Sequence, residues 1–245
     1  MKGLVLIGGC NFSLHENKLI HKRIIEYAKK PKPSLLYIHV SNKKTDDIIK
    51  TFNEFDIEFS MYEKIEDIDK ADIIYIGGGN TEDMIKWFNK DGITQKLIDN
   101  LDKKIIAGVS AGAIFWFKKY YSDTYAYFDN FSAYNYKLLD GIGYFDCYIS
   151  PHFNEVGKEA FFDEIDNHFS IALENNTALF INDESIDYVL DRKNSAIYFY
   201  LENRLYTLNN ENKNIIKEKL LKRAWLTCTF YCFIMRFFRY YKKNN

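Results

Sequence analysis

The chain has 245 residues, 47% of them hydrophobic, and a formal net charge of −1, so it can bury one substantial core and is expected to form one catalytic-sized domain rather than two equal ones. Acidic and basic residues are mixed along most of its length, which removes the electrostatic footprint of a nucleic-acid partner. The four cysteines, Cys10, Cys147, Cys228 and Cys232, form no CxxC pair and no Cys/His cluster at ligand spacing, so neither a disulfide framework nor a metal site is expected.

The first ten residues, MKGLVLIGGC, carry a short apolar run without a small-residue cleavage site, which predicts a first core strand over Gly3–Ile7 and a place in the reducing cytoplasm. A helix is predicted over His15–Lys29, then a strand over Ser34–Ile38, a helix over Asp46–Phe55 and a strand over Ile57–Met61. The pattern continues with a strand at Ile73–Ile76, helices at Thr81–Asn89 and Thr94–Leu101, and a strand at Lys104–Gly108. Asn80 or Thr81 can cap the helix that follows, and Glu82 and Asp83 put negative charge in its first turn. Later segments read as a helix at Ala113–Lys119, a strand at Tyr144–Ile149, a helix at Lys158–Phe169, and strands at Ala178–Ile181, Tyr188–Leu190 and Ala196–Leu201. Short apolar strands alternating with amphipathic helices predict an α/β fold, a three-layer, flavodoxin-like arrangement with a mostly parallel sheet and helices on both faces.

Three segments carry chemistry. In Gly108-Val109-Ser110-Ala111-Gly112-Ala113 a strand runs directly into a helix through a G-x-S-x-G turn, which lifts a serine hydroxyl above the sheet edge and aims the Ala111 amide at a developing oxyanion. In Tyr75-Ile76-Gly77-Gly78-Gly79-Asn80-Thr81 a strand ends in three glycines, exposing amides where ligands of such sheets bind; there is no G-x-G-x-x-G and no P-loop Lys-Ser/Thr pair, which disfavours a nucleotide. The Gly79 amide fits the second half of an oxyanion hole, and Asn80 is a candidate substrate contact. In Ser150-Pro151-His152-Phe153 an imidazole follows a strand end, where it can take a proton from Ser110 and return it to a leaving amine. The other histidines lie on predicted helix faces or, for His39, after a strand with no partner motif.

The GGGNT, GVSAGA and SPHF segments, in that order, resemble the aspartyl dipeptidase (dipeptidase E) family of serine peptidases, which has the class I glutamine amidotransferase-like fold. The resemblance covers about residues 1 to 207 and implies Ser110 as nucleophile, His152 as base, the Gly79 and Ala111 amides as oxyanion hole, and no cofactor. It also implies an acidic third member between nucleophile and histidine, where Asp123, Asp129, Asp140 and Asp146 stand. Asp123 lies at the most similar distance from the elbow; Asp129 is next, and Asp183 or Glu184 beyond the histidine is the remaining choice.

The expected activity is hydrolysis of a small peptide, Asp-containing dipeptides among them, through an acyl-enzyme. No recognition arginine matches after His152; Lys158 and Arg192 are the candidates for that cation, with surface charge the commoner reading of each. The segment Ile171-Ala172-Leu173-Glu174-Asn175-Asn176-Thr177-Ala178-Leu179 reads as structural. A cyanophycinase-like hydrolase of β-aspartyl peptides, or a non-catalytic binding homologue, are the alternatives. The hydrolase domain is assigned to residues 1–223, with 224–245 an aromatic, basic-ended extension whose apolar run is too short to span a bilayer. That extension is expected to dock on the domain or on a second copy in a homodimer, with membrane-surface contact through 224–243 as the alternative.

Overall fold

The structure, a computed structural model, describes residues 1–41, 45–123 and 136–221. The strands are β1 (Gly3–Ile7), β2 (Ser34–Ile38), β3 (Glu58–Met61), β4 (Ile73–Ile76), β5 (Ile105–Val109), β6 (Phe117–Ser122), β7 (Lys137–Asp140), β8 (Phe145–Ser150), β9 (Ser170–Leu173), β10 (Thr177–Ile181), β11 (Ile186–Leu190), β12 (Ile197–Leu201) and β13 (Arg204–Thr207). The helices are α1 (Lys18–Tyr27), α2 (Asp46–Phe52), α3 (Asp67–Lys70), α4 (Thr81–Lys90), α5 (Ile93–Ile98) and α6 (Ala111–Ile114).

The strands form two sheets. The first runs β11-β10-β1-β5-β4-β2-β3, parallel from β1 through β3 and antiparallel at the β10 and β11 end. Its central strands are buried throughout, as continuous Ile, Leu and Val runs require when both faces are covered. Val5, Ile7, Tyr37, Tyr75 and Val109 face one layer that includes Ile20 and Ile24 of α1 and Phe52 of α2. Leu4, Leu6, Ile74, Ile76 and Ile106 face the other, which holds Met84 and Phe88 of α4 and Leu97 of α5. Each such fully buried side chain is worth about 2 kcal/mol of transfer free energy.

The second sheet runs β13-β12-β9-β8-β6-β7 and packs its Phe145, Ile149, Ile171, Leu173 and Phe199 into that same second layer. Its opposite face carries Tyr121, Tyr148, Tyr198 and Tyr200 against Phe161 and Phe162. The alternation of Ile197, Phe199 with Tyr198, Tyr200 is the period of two that a strand dictates.

The structure corrects three expectations. The helix predicted over Ala113–Lys119 is one turn, and the chain then enters β6, because Phe117, Tyr120 and Tyr121 bury as strand residues. The segment from Lys158 is a 3-10 helix ending at Asp163, and Asp166 and Asn167 at φ 42° and 62° turn the chain out of any continuing helix. The helix predicted from His15 begins at Lys18, since His15 and Asn17 are left-handed; the Asp191 carboxylate accepts from the Leu19 amide at 2.9 Å and serves as a cap from far along the chain. Residues 222–245, with the predicted extension, and Asp129 lie outside the described residues.

His21, fully buried on α1, stacks on Phe12 and shares a hydrogen bond of 3.2 Å with the Tyr75 hydroxyl. Burial pushes its imidazole down to about 3. Between that value and the ordinary one the unfolded chain binds a proton that the folded chain refuses, so stability is full above neutral pH and falls on acidification. The expected loss is about 2 kcal/mol by pH 5. Thermal midpoints at pH 7 and pH 5 should differ less in His21→Phe than in the wild type; an equal drop in both would refute this source of acid lability.

Candidate functional site

Three backbone features build the site where the two sheets meet. The first is the elbow between β5 and α6, where Ser110 sits at φ 52° and ψ −114°, a region that side chains rarely occupy. The turn closes only because Gly108 and Gly112 touch; a methyl group at Gly108 would overlap the Gly112 carbonyl. The Ser110 amide donates to the Ile7 carbonyl at 3.0 Å, and the Ser110 carbonyl accepts from the Ala113 and Ile114 amides at 2.9 and 3.0 Å.

The second is the end of β1. The Gly8 carbonyl accepts from the His152 amide at 3.1 Å and the Gly9 carbonyl accepts from the Asn176 amide at 3.0 Å, so this pair of glycines ties together the segments that follow β8 and β9. Gly9 must lack a side chain, because a methyl group there would overlap Asn175 Oδ1 and stand 2.5 Å from His152 Nδ1. The third is the turn at residues 174–176, which carries the chain from β9 in the second sheet to β10 in the first, with Asn176 at φ 63°.

These features bring side chains from distant positions into one line. Ser110 Oγ lies 2.9 Å from His152 Nε2, and His152 Nδ1 lies 2.6 Å from Asn175 Oδ1. Asn175 Nδ2 donates to Glu155 Oε1 at 3.1 Å, and that carboxylate oxygen is 3.4 Å from His152 Nδ1. A carboxylate only accepts, so the amide presents its NH2 to Glu155 and its oxygen to the ring. Nδ1 therefore carries the proton, and Nε2 is left to accept from the serine hydroxyl. Burial holds the imidazole below its ordinary value, while Glu155 and the Asn175 hydrogen bond pull it upward. The neutral form that a base needs prevails at neutral pH.

The expected pairing of Asp123 with the imidazole is corrected here. Asp123 makes no hydrogen bond to His152; its Oδ1 is 3.5 Å from Ser122 Oγ, and its carboxylate acts on the ring only as a more distant charge. The Nδ1 position is filled by Asn175. Asp140 pairs with Lys119, Asp146 with Lys118 and Asp183 with the Met1 amino terminus, and Glu184 donates its amide to Asn182, so none of them is at the ring. Asn80 caps α4 by accepting from the Asp83 amide at 3.1 Å. In the glycine run, Gly78 is the residue against Ser110, since a methyl group there would stand 3.3 Å from Ser110 Cβ, whereas Gly79 faces Val40. Lys158, expected on the surface, is only 1% exposed.

Sequence reasoning missed Gly9, Asn175 and Glu155. The signals were a glycine pair closing the first strand and an Asn-Asn turn between two apolar runs. Among the described residues no group of three His, Cys, Asp or Glu side chains is placed to hold a metal ion.

A family model for peptidase family S51 matches residues 4–189. The chain is 25% identical over 218 residues to the uncharacterized peptidase YgaJ of Bacillus subtilis (strain 168), covering 81% of this chain and 91% of that protein. The crystal structure of a peptidase from an acI-B1 Actinobacterium superposes with a TM-score of 0.60 at 19% identity, covering 84% of this chain and 93% of that one. That of a protein assigned to peptidase E from Listeria monocytogenes EGD-e superposes with a TM-score of 0.58 at 18% identity, covering 78% and 98%. The chain belongs to peptidase family S51, the dipeptidase E family, and is a serine-type peptidase with the class I glutamine amidotransferase-like fold.

Proposed function

We propose that the chain hydrolyses short peptides through an acyl-enzyme on Ser110, with His152 as general base and then general acid. The observation that carries this is the 2.9 Å approach of Ser110 Oγ to His152 Nε2, with the ring's other nitrogen already committed to donating. The serine proton passes to Nε2 as Oγ attacks the peptide carbonyl carbon. The oxyanion is received by the Ala111 amide, next to the nucleophile, and by the Gly79 amide of the glycine run. His152 then gives the proton to the departing amine, and water, activated by the same nitrogen, releases the acid.

Asn175 fixes the tautomer during both halves, and the Glu155 charge 3.4 Å from Nδ1 favours the transient imidazolium. Asp123 supplies a weaker, longer-range contribution of the same sign. The substrates we propose are small dipeptides, Asp-containing ones among them.

A fluorophosphonate probe should label the wild type at Ser110 and leave Ser110→Ala unlabelled. Absence of label on the wild type, or equal label on both, would favour a binding protein on a peptidase scaffold and overturn the proposal. A panel of Asp-X and β-Asp-X dipeptides separates α-peptide cleavage, which is expected, from the cyanophycinase-like alternative.

A further inference from the structure

Lys158 opens the 3-10 helix Lys158–Asp163 and is only 1% exposed. A buried ammonium is costly unless it is paired, yet the contacts of Lys158 among the described residues are a backbone carbonyl and two tyrosine rings, with no carboxylate in an ion pair. Its Nζ donates to the Tyr121 carbonyl at 3.1 Å and stands 4.1 Å from the centre of the Tyr136 ring and 5.5 Å from that of Tyr121. Burial pushes the ammonium down to about 8, so its charge persists at neutral pH.

The chain places this charge with regularity. The Glu155 amide donates to the His152 carbonyl at 2.9 Å, and the Lys158 amide donates to the Glu155 carbonyl at 3.2 Å. Base, carboxylate and ammonium thus follow one another at intervals of three residues on two successive turns. The parallel pairing of β6 with β8, Tyr120 opposite Ile149, carries Tyr121 and Asp123 alongside the same segment. The charges that act on Lys158 are Asp123, just past the end of β6, and Glu155 on its own segment, and the rings beside it are Tyr121 of β6 and Tyr136 from the segment before β7. Ser110, Asn175, Glu155 and Asp123 face the imidazole.

We infer that Lys158 is a positioning residue whose buried positive charge offsets Glu155 and Asp123 and keeps the His152 imidazole in its neutral, proton-accepting form. The carboxylates that favour the imidazolium during turnover also raise the ring's proton affinity in the free enzyme, and Lys158 acts with burial against them. Burial of the ammonium under tyrosine rings keeps that offset from being screened by solvent. A buried cation on the same segment as the imidazole disfavours a second positive charge there, so its direction is to lower the ring's proton affinity. The inference rests on the assignment of His152 as base.

The test uses Lys158→Gln, whose amide can still donate to the Tyr121 carbonyl, and Lys158→Arg, which keeps the charge. In Lys158→Gln the acid limb of kcat/KM should move to higher pH by about 0.5 unit, the size expected for loss of one nearby charge in a protein interior. Lys158→Arg should keep the wild-type limb. NMR titration of the His152 imidazole, assigned by comparison with His152→Gln, reads the same shift without hydrolysis, so it decides the role of Lys158 even if the peptidase assignment of Ser110 fails. An unmoved imidazole in Lys158→Gln, or an equal shift in Lys158→Arg, overturns the inference and leaves Lys158 a packing residue.

Discussion

Ser110→Ala should lower kcat by about four orders of magnitude while the thermal midpoint stays within a degree or two of the wild type. The loss is large because, among the described residues, the Ser110 hydroxyl is the one that lies on His152 Nε2. The fold survives because alanine inherits the same backbone at φ 52°, and the elbow is held by main-chain bonds from Ser110 to Ile7, Ala113 and Ile114. His152→Ala should be similarly impaired, and the double variant hardly worse than either, since the two act as one unit. Steady-state kinetics on a cleaved dipeptide check this. Substantial turnover in Ser110→Ala would end the acyl-enzyme route.

Asn175→Leu should lower kcat by about a hundredfold, whereas Asp123→Asn should cost severalfold at most. Leucine removes the acceptor 2.6 Å from Nδ1 and strands Glu155, which loses the amide that spans it to the ring. The imidazole then loses its orientation and its tautomer preference. Asp123, without a bond to the ring, contributes only through distance. Kinetics of the two variants, with circular dichroism to verify folding, decide the order. If Asp123→Asn is the crippled one, the third position belongs to the aspartate after all.

Much of this architecture was legible in the residues. β1, β2 and β4 were predicted to the residue, because Ile/Leu/Val runs bounded by Gly, Pro and Asp leave little choice. Ser110 and His152 were legible because an elbow and a strand-end histidine each have a local signature. The second sheet was only partly legible: β6 follows a single helical turn, and its Phe-Lys-Lys-Tyr-Tyr run has no period that separates strand from helix. Asn175 was missed for a different reason: its Asn-Asn turn signal says only that the chain turns. Its role comes from β9 and β10 belonging to different sheets, so that the turn between them crosses the active site, and nothing in Glu-Asn-Asn-Thr announces where its flanking strands pair.

The proposed nucleophile and base are carried by different sheets, Ser110 at the end of β5 and His152 past the end of β8, with Asn175 on the turn that joins the two. The proton path is therefore a gauge of alignment between the two halves of the molecule. A slip of half an ångström between them would interrupt proton transfer without exposing the core, so mild heat or denaturant should silence the enzyme well before either sheet melts.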